Sequence, residues 1–160
     1  SAKGLNRLLP EAGTWPAATQ RHVRLHGRRD LAQHFLISAG LAAVGGGALA
    51  DAVGLFKEVD DARFGTGFSF TDIAADRGGT RFGELALASE SSALRVQRWV
   101  TRGLREVDLL PHPRDLPEFL SEAEFKKRFS HVDSPAYRKL MAEIEASIDA
   151  RGLYRDAASQ

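Results

Sequence analysis

The stretch KEVDDARFGTGFSFTDIAAD, residues 57–76, decides how the chain folds, because it joins two helical segments through an aromatic loop. Five of its residues are acidic, and the loop in its middle carries three phenylalanines and two glycines. Thr71 followed by Asp72 is typical of a helix start, since it offers a capping hydroxyl and an acidic first turn. The stretch therefore predicts a helix–loop–helix corner that brings carboxylates and aromatic rings together.

Helical hydrophobic patterns extend in both directions from this corner, and no run alternates with the period of a β-strand. Three consecutive glycines at 45–47 separate the two helices before the corner, and Asp30 is a suitable cap for the first of them. In the second helix we expect one buried stripe, made of Leu49, Val53, Phe56 and Val59. The predicted helices are 30–44, 48–62, 71–88 and 92–106, followed by two C-terminal helices that begin near the capping residues Ser121 and Ser134.

The chain has 160 residues, of which 43% are hydrophobic, and this is enough for one domain with a real core. Residues 1–20 lack periodicity and predict an extended N-terminal arm. Residues 21–110 predict the helical core domain, and a proline-rich linker leads into 111–160, a C-terminal helical extension of the same domain. The expected fold class is all-α: a single helical domain with a core of three helices and C-terminal satellite helices.

The composition excludes several classes of function. The 22 basic and 21 acidic residues nearly balance, so nucleic acid is not a predicted partner. The chain has no cysteine, which excludes disulfides, thiolate metal sites and a cysteine nucleophile. The longest uncharged run, residues 35–50, is shorter than the roughly 20 apolar residues of a membrane-spanning helix. No phosphate-binding glycine loop of the Walker or Rossmann type is present.

Polar residues recur at helical spacing in each of the first three predicted helices. Side chains three or four positions apart are neighbours on a helix, so each set forms a stripe. The three stripes are Asp30 and His34, then Gly54, Glu58 and Asp61, then Asp72 and Asp76. The third stripe is followed by Gly79 and Gly83, a pair typical of close approach between helices. If the three helices face one another, one histidine and several carboxylates meet near Arg63. Buried charges at that density persist only when they are paired or hydrogen-bonded.

The order and spacing of these stripes resemble the VanZ-like proteins and, more closely, the small YfiM-type periplasmic lipoproteins. The shared pattern covers about residues 29–87 and consists of Asp-x-x-x-His-Phe from Asp30, Gly-x-x-x-Glu from Gly54, and Asp-x-x-Ala-Asp-x-x-Gly-x-x-x-Gly from Asp72. The chain departs from those proteins at Leu31, where lysine is usual, and at Asp76, where asparagine is common. The resemblance implies a helical core and a periplasmic or envelope-associated location, with membrane association through a removed N-terminal segment. It transfers no reaction.

Glu58 is the leading candidate for chemistry. It lies late in an apolar helix, and burial beside Phe56 and Phe64 would raise its pKa, as a general acid near neutral pH requires. Asp72 is the favoured second carboxylate of a glycosidase pair, because it comes from the next helix, and Asp61 is an alternative. The sequence thus predicts a peptidoglycan hydrolase or lytic transglycosylase-like enzyme that uses Glu58 as its acid/base and acts on cell-wall glycan.

The residues assigned to substrate binding are Phe64, Phe68, Phe70, Arg63, Asp76 and His34. The rings can line a sugar cleft or fold back into the bundle. Arg63 can instead form a structural ion pair with Glu58.

His34 can be a core histidine that is hydrogen-bonded to Glu58 or Asp72, or one ligand of Mn, Zn or Fe. No His-x-x-x-His pair lies on a predicted helix, so neither a metal nor another cofactor is predicted. The alternative function is a non-catalytic envelope binding or scaffold protein whose His–carboxylate–Arg cluster is structural. The two functions differ in whether Glu58 lines an open cleft or is sealed.

Overall fold

The structure is a computed structural model that describes residues 22–158, apart from the side chains of residues 63, 64 and 156–158. Its helices are α1 (Arg29–Gly45), α2 (Gly47–Phe64), α3 (Phe70–Leu87), α4 (Glu90–Thr101), α5 (Glu106–Leu109), α6 (Glu122–Phe129), α7 (Pro135–Asp149) and α8 (Gly152–Ala158). Within the described residues, β-pairing is limited to the isolated bridges Leu25–Arg28 and Phe68–Leu120. The all-α prediction is therefore confirmed. The arm predicted for residues 1–20 lies outside the described residues.

The predicted boundaries hold for the first three helices and fail further along the chain. Helix α4 ends at Thr101, before the predicted end at 106, because Gly103 has a φ of +90° and turns the chain away. Three helices, α6 to α8, follow the proline-rich linker where two were predicted. The last predicted helix is divided in two, because it ends at Asp149 and a new helix begins at Gly152.

Two predicted helix caps are wrong. Helix α1 begins at Arg29 after Arg28, and Asp30 lies inside its first turn, where it pairs with the Arg28 guanidinium. Ser69 is the residue before α3, and the Thr71 hydroxyl is used elsewhere, because it donates to the Glu118 carboxylate. The predicted caps Ser121 and Ser134 are confirmed.

Helices α1, α2 and α3 form the core, and the contact between α1 and α3 is the most extensive. Glycines on α3 allow this contact. A Cβ added at Gly83 would lie 2.5 Å from the Ala39 carbonyl oxygen, and one at Gly79 would overlap the Phe35 carbonyl oxygen. The predicted close approach at these two glycines is confirmed.

Helix α2 buries a different face from the predicted one. The predicted stripe is exposed over Leu49 (48%), Val53 (43%) and Phe56 (73%), and only Val59 packs against the core. The buried face carries Ala50, Gly54 and Glu58 instead. Small residues let α2 approach α3 closely, since a Cβ at Gly54 would lie 2.8 Å from Asp76 Oδ2.

The rings of the corner loop lie in the core and contact the C-terminal helices. Phe68 packs on Phe125 with ring centroids 4.6 Å apart, and Phe70 packs on Phe129 at 4.9 Å and on Tyr137 at 5.8 Å. Helices α6 and α7 therefore pack onto the three-helix core as the predicted C-terminal satellites, and their rings join its hydrophobic cluster. None of the described helices is long and apolar enough to cross a membrane.

Candidate functional site

The polar stripes of α1, α2 and α3 meet where the three helices converge. His34 comes from α1, Glu58 from α2, and Asp72 and Asp76 from α3. One donor atom each from His34, Glu58 and Asp72 lies within 4.8 Å of the other two. We call these three residues the His–carboxylate cluster. Asp76 stands beside it, on the other side of the imidazole.

Asp76 fixes the orientation of His34. The His34 Nδ1 atom lies 3.1 Å from both carboxylate oxygens of Asp76, and the Ser38 hydroxyl donates to Asp76 Oδ1 over 2.7 Å. A carboxylate only accepts hydrogen bonds, so Nδ1 carries the proton. Burial lowers the pKa of His34, but Asp76 and then Asp72 outweigh it, and the pKa is raised overall. The Nε2 atom faces Asp72 Oδ2 at 3.6 Å, beyond the length of a direct hydrogen bond.

Glu58 is sealed inside the bundle, with 0% of its surface exposed. Its Oε2 atom accepts the Ser69 N–H over 2.8 Å, and Lys57 Nζ donates to Oε1 over 3.3 Å. Burial raises the pKa of Glu58 to about 6, although the Ser69 N–H opposes the rise. The raised pKa was predicted from neighbouring rings, but Phe56 is exposed and contributes no such wall. The side chain of Phe64 lies outside the described residues.

Asp72 has the least satisfied carboxylate of the cluster. Its side chain is 13% exposed, and its Oδ1 atom is buried without a hydrogen-bond partner, with Arg28 3.9 Å away. Burial raises the pKa of Asp72, although the His34 imidazole opposes this rise. A buried carboxylate oxygen without a donor is costly, so this atom is ready to accept a proton donor or a cation.

The other residues that the sequence predicted for catalysis or substrate binding do not lie together around the cluster. Asp61 stands one turn beyond Glu58 and accepts from Lys57 Nζ over 2.6 Å, so it reaches the cluster only through that lysine. Phe68 and Phe70 are 1% and 0% exposed and belong to the core, and Phe68 also lines a cavity of about 170 Å³ between α2 and α6. The Arg63 side chain, and with it the predicted ion pair to Glu58, lies outside the described residues.

Several polar groups around the cluster escaped the sequence reasoning. Ser38 is four residues after His34 on the same helix face, a spacing that could have revealed it. Ser69 contributes a backbone N–H, which no sequence pattern shows. Glu118 comes from the linker and binds both Thr71 and Arg28, which are 47 and 90 positions away. Partners at that separation leave no local signal.

An open cleft of about 160 Å³ lies between α1 and α2, beside the cluster. His34 and Asp76 line it, whereas Glu58 and Asp72 do not. The remaining lining residues are the polar Asp30, Gln33, Ser38 and Lys57, the apolar Ile37, Leu41 and Val53, and Gly54. The structure thus offers two neighbouring features, an open cleft and a largely buried cluster, joined by His34.

Comparison with known proteins found no matching family model, no matching curated protein and no matching solved structure. The resemblance to VanZ-like and YfiM-type proteins, and the envelope location that it implies, therefore stay predictions. The geometry of the cleft and of the cluster carries the functional conclusion.

Proposed function

We propose that this protein is a non-catalytic binding protein of the cell envelope that holds a unit of cell-wall glycan in the cleft between α1 and α2. One observation carries the proposal: Glu58 has no exposed surface, while the cleft opens over His34 and Asp76. A general acid must come within hydrogen-bond reach of the atom it protonates. Both carboxylate oxygens of Glu58 are already in contact with Ser69 or Lys57.

The chemistry of the cleft suits a hydroxylated ligand with an apolar face. Asp30, Gln33 and Lys57 place acceptors and donors at its walls, where sugar hydroxyl and amide groups can bind them. Ile37 and Val53 provide apolar surface for the C–H face of a sugar ring. The volume of about 160 Å³ is below the roughly 300–1,000 Å³ of a drug-sized pocket, so one sugar unit fits better than a long chain. The envelope location follows from the sequence resemblance.

A glycan hydrolase is the second candidate, and two observations favour it. The pKa of Glu58 is raised to about 6, as a general acid requires. One oxygen of Glu58 and one of Asp72 lie no more than 4.8 Å apart, so the two carboxyl groups are closer to the roughly 5–5.5 Å of a retaining pair than to the roughly 6.5–9.5 Å of an inverting pair. Hydrolysis by this pair requires α2 to move away from α3, because a sugar has no access to Glu58 otherwise.

Binding in the cleft is tested by filling it. Ile37 and Leu36 are neighbours on α1 and are 52% and 55% exposed, but only Ile37 lines the cleft. We expect Ile37→Trp to weaken the binding of soluble muropeptides at least tenfold in isothermal titration calorimetry, because the indole occupies the cleft. The matched control Leu36→Trp should bind like the wild type. Equal affinities for all three proteins, or no muropeptide binding by the wild type, would refute the cleft as a glycan site.

A cell-wall digestion assay separates the two candidates. For a binding protein, the wild type should release no fragments from purified peptidoglycan. Fragment release that Glu58→Gln abolishes, with an unchanged melting temperature, would establish the hydrolase instead.

A further inference from the structure

We propose that His34, Glu58 and Asp72 bind one divalent transition-metal ion of the Mn²⁺, Fe²⁺ or Zn²⁺ type. The sequence had predicted no metal, because no His-x-x-x-His pair lies on a helix. The structure supplies the ligands from three different helices instead, with their donor atoms within 4.8 Å of one another. The cation site goes beyond the glycan proposal, although it shares His34 with the neighbouring cleft.

The imidazole is already oriented as a metal ligand. Metal-bound histidines usually donate their second N–H to a carboxylate, which fixes the tautomer and the ring plane. His34 has this arrangement, because Nδ1 lies 3.1 Å from Asp76 and Ser38 holds that carboxylate over 2.7 Å. The lone pair of Nε2 therefore points away from Asp76, on the side where Asp72 Oδ2 lies 3.6 Å away.

Asp72 supplies two oxygens without a hydrogen bond to the cluster: Oδ2 faces His34 Nε2 at 3.6 Å, and Oδ1 has only the Arg28 guanidinium near it, at 3.9 Å. Its Oδ1 atom is buried and has no hydrogen-bond partner. Two donors that are each about 2.1 Å from a tetrahedral ion are about 3.4 Å apart, so a donor set within 4.8 Å closes by small side-chain rotations. The side chains of His34 and Asp72 are 11% and 13% exposed, which leaves a path for the ion from that edge.

Lys57 occupies the position of a cation in the metal-free cluster. Its ammonium contacts Glu58 Oε1 over 3.3 Å and Asp61 over 2.6 Å, and its side chain is 49% exposed. A metal ion can replace the longer contact, because Lys57 keeps its bond to Asp61 and its access to water. Glu58 Oε2 accepts the Ser69 N–H, which holds the carboxylate in place while one of its oxygens binds the ion.

The donor set defines the class of ion. Two carboxylates and one neutral imidazole balance a charge of +2. Imidazole suits Fe and Zn and carboxylates suit Mn, whereas Ca²⁺ prefers six to eight oxygen ligands. We therefore expect Zn²⁺ and Mn²⁺ to bind and Ca²⁺ to bind far more weakly.

The test uses the full chain after treatment with EDTA, titrated with Zn²⁺ and with Mn²⁺ by calorimetry. We expect one ion per chain, and at least a tenfold loss of affinity in His34→Ala and in Asp72→Asn. His131→Ala is the matched control, because this exposed histidine of the α6–α7 turn is outside the cluster. A stoichiometry of zero, or equal losses in the His34 and His131 variants, would overturn the proposal.

A measurement on the wild type keeps the test decisive if a variant fails to fold. Substoichiometric Mn²⁺ should broaden the NMR signals of the His34 ring and the Ser69 amide before those of any other histidine. Broadening confined to other histidines would overturn the proposal. Asp76 is a positioning residue, so Asp76→Asn should weaken the metal about 10–100-fold. It should also change the ¹⁵N shifts of the His34 ring, which report the tautomer.

Discussion

At the scale of the residue, the cluster is unusual because all three of its members have raised pKa values. Burial is the main cause at Glu58 and Asp72, and the neighbouring carboxylates are the cause at His34. Each group therefore holds a proton more tightly in the folded chain than in the unfolded chain. Folding of the metal-free protein takes up protons, so its stability falls as the pH rises through these pKa values.

Glu58→Gln tests this linkage. The glutamate has a folded pKa of about 6 against an ordinary value of 4.5, so its contribution is fully present below pH 4.5 and is lost above pH 6. At about 1.4 kcal/mol per pKa unit, the loss is about 2 kcal/mol. We expect the unfolding free energy of the wild type, measured with urea in EDTA, to fall by about 2 kcal/mol more than that of Glu58→Gln between pH 4.5 and pH 7.5.

The control is Glu143→Gln, which changes an exposed carboxylate on α7 and should leave the pH profile unaltered. A large loss of unfolding free energy in Glu58→Gln at neutral pH would instead reveal that Glu58 belongs to a buried ion pair. If Glu58→Gln costs roughly 3–5 kcal/mol at neutral pH, a charged partner of Glu58 has been left buried. We do not expect this loss, because Lys57 is half-exposed and retains Asp61.

The residues of the cluster could be predicted from the sequence because their spacing is local. A four-residue interval places Asp72 and Asp76 on one face whatever the rest of the chain does. Their partners could not be predicted, because hydrogen bonds to His34 depend on how the helices rotate against each other. The sequence predicted a hydrogen bond from the His34 imidazole to Glu58 or Asp72, but the hydrogen-bond partner is Asp76.

At the scale of the element, the close contact between α1 and α3 depends on glycine. Gly79→Ala places a Cβ against the Phe35 carbonyl, and backbone cannot yield as a flexible side chain can. We expect a loss of about 1–3 kcal/mol or more in urea unfolding, as for other overpacked sites. Gly40→Ala is the control on α1, since a Cβ there meets nothing within 4 Å. It should stabilise the protein by about 0.5–1 kcal/mol through helix propensity.

If α1 and α3 packed through other faces, Gly79→Ala would no longer be destabilising, and the contrast with Gly40→Ala would disappear. Two stabilising substitutions would show that Gly79 does not touch α1. The comparison also separates packing from propensity, because both substitutions exchange glycine for alanine inside a helix.

Helix α2 shows why its buried face was predicted wrongly. Its sequence carries an apolar stripe with Phe56 and a polar stripe with Gly54 and Glu58, and periodicity alone favours burying the apolar one. The structure buries the polar stripe because Gly54 permits close approach and because Glu58 finds the Ser69 N–H inside. Hydrophobic pattern measures the transfer of side chains from water, and it contains no information about a buried hydrogen-bond partner.

At the scale of the whole molecule, the C-terminal helices complete the core that the first three helices begin. Leu153 and Tyr154 of α8 are 0% and 2% exposed, and the Tyr154 hydroxyl lies within hydrogen-bond distance of the Gly78 and Leu109 carbonyls. The all-α class and the single domain could be predicted from periodicity and length. The role of α6 and α7 could not, because ring contacts between the corner loop and α6 join residues far apart in sequence.

Phe125→Ala tests whether the C-terminal helices unfold together with the three-helix core or separately from it. Phe125 is 8% exposed on α6 and packs on the corner-loop ring of Phe68, so its truncation should cost about 3–5 kcal/mol. In a shared core, amide hydrogen exchange should accelerate in α1 and α7 by the same factor, because both open only when the whole chain unfolds. Phe119→Ala, at a residue that is 60% exposed, is the control and should leave exchange nearly unchanged. Acceleration confined to α6 and α7 would show that the C-terminal helices unfold as a separate unit.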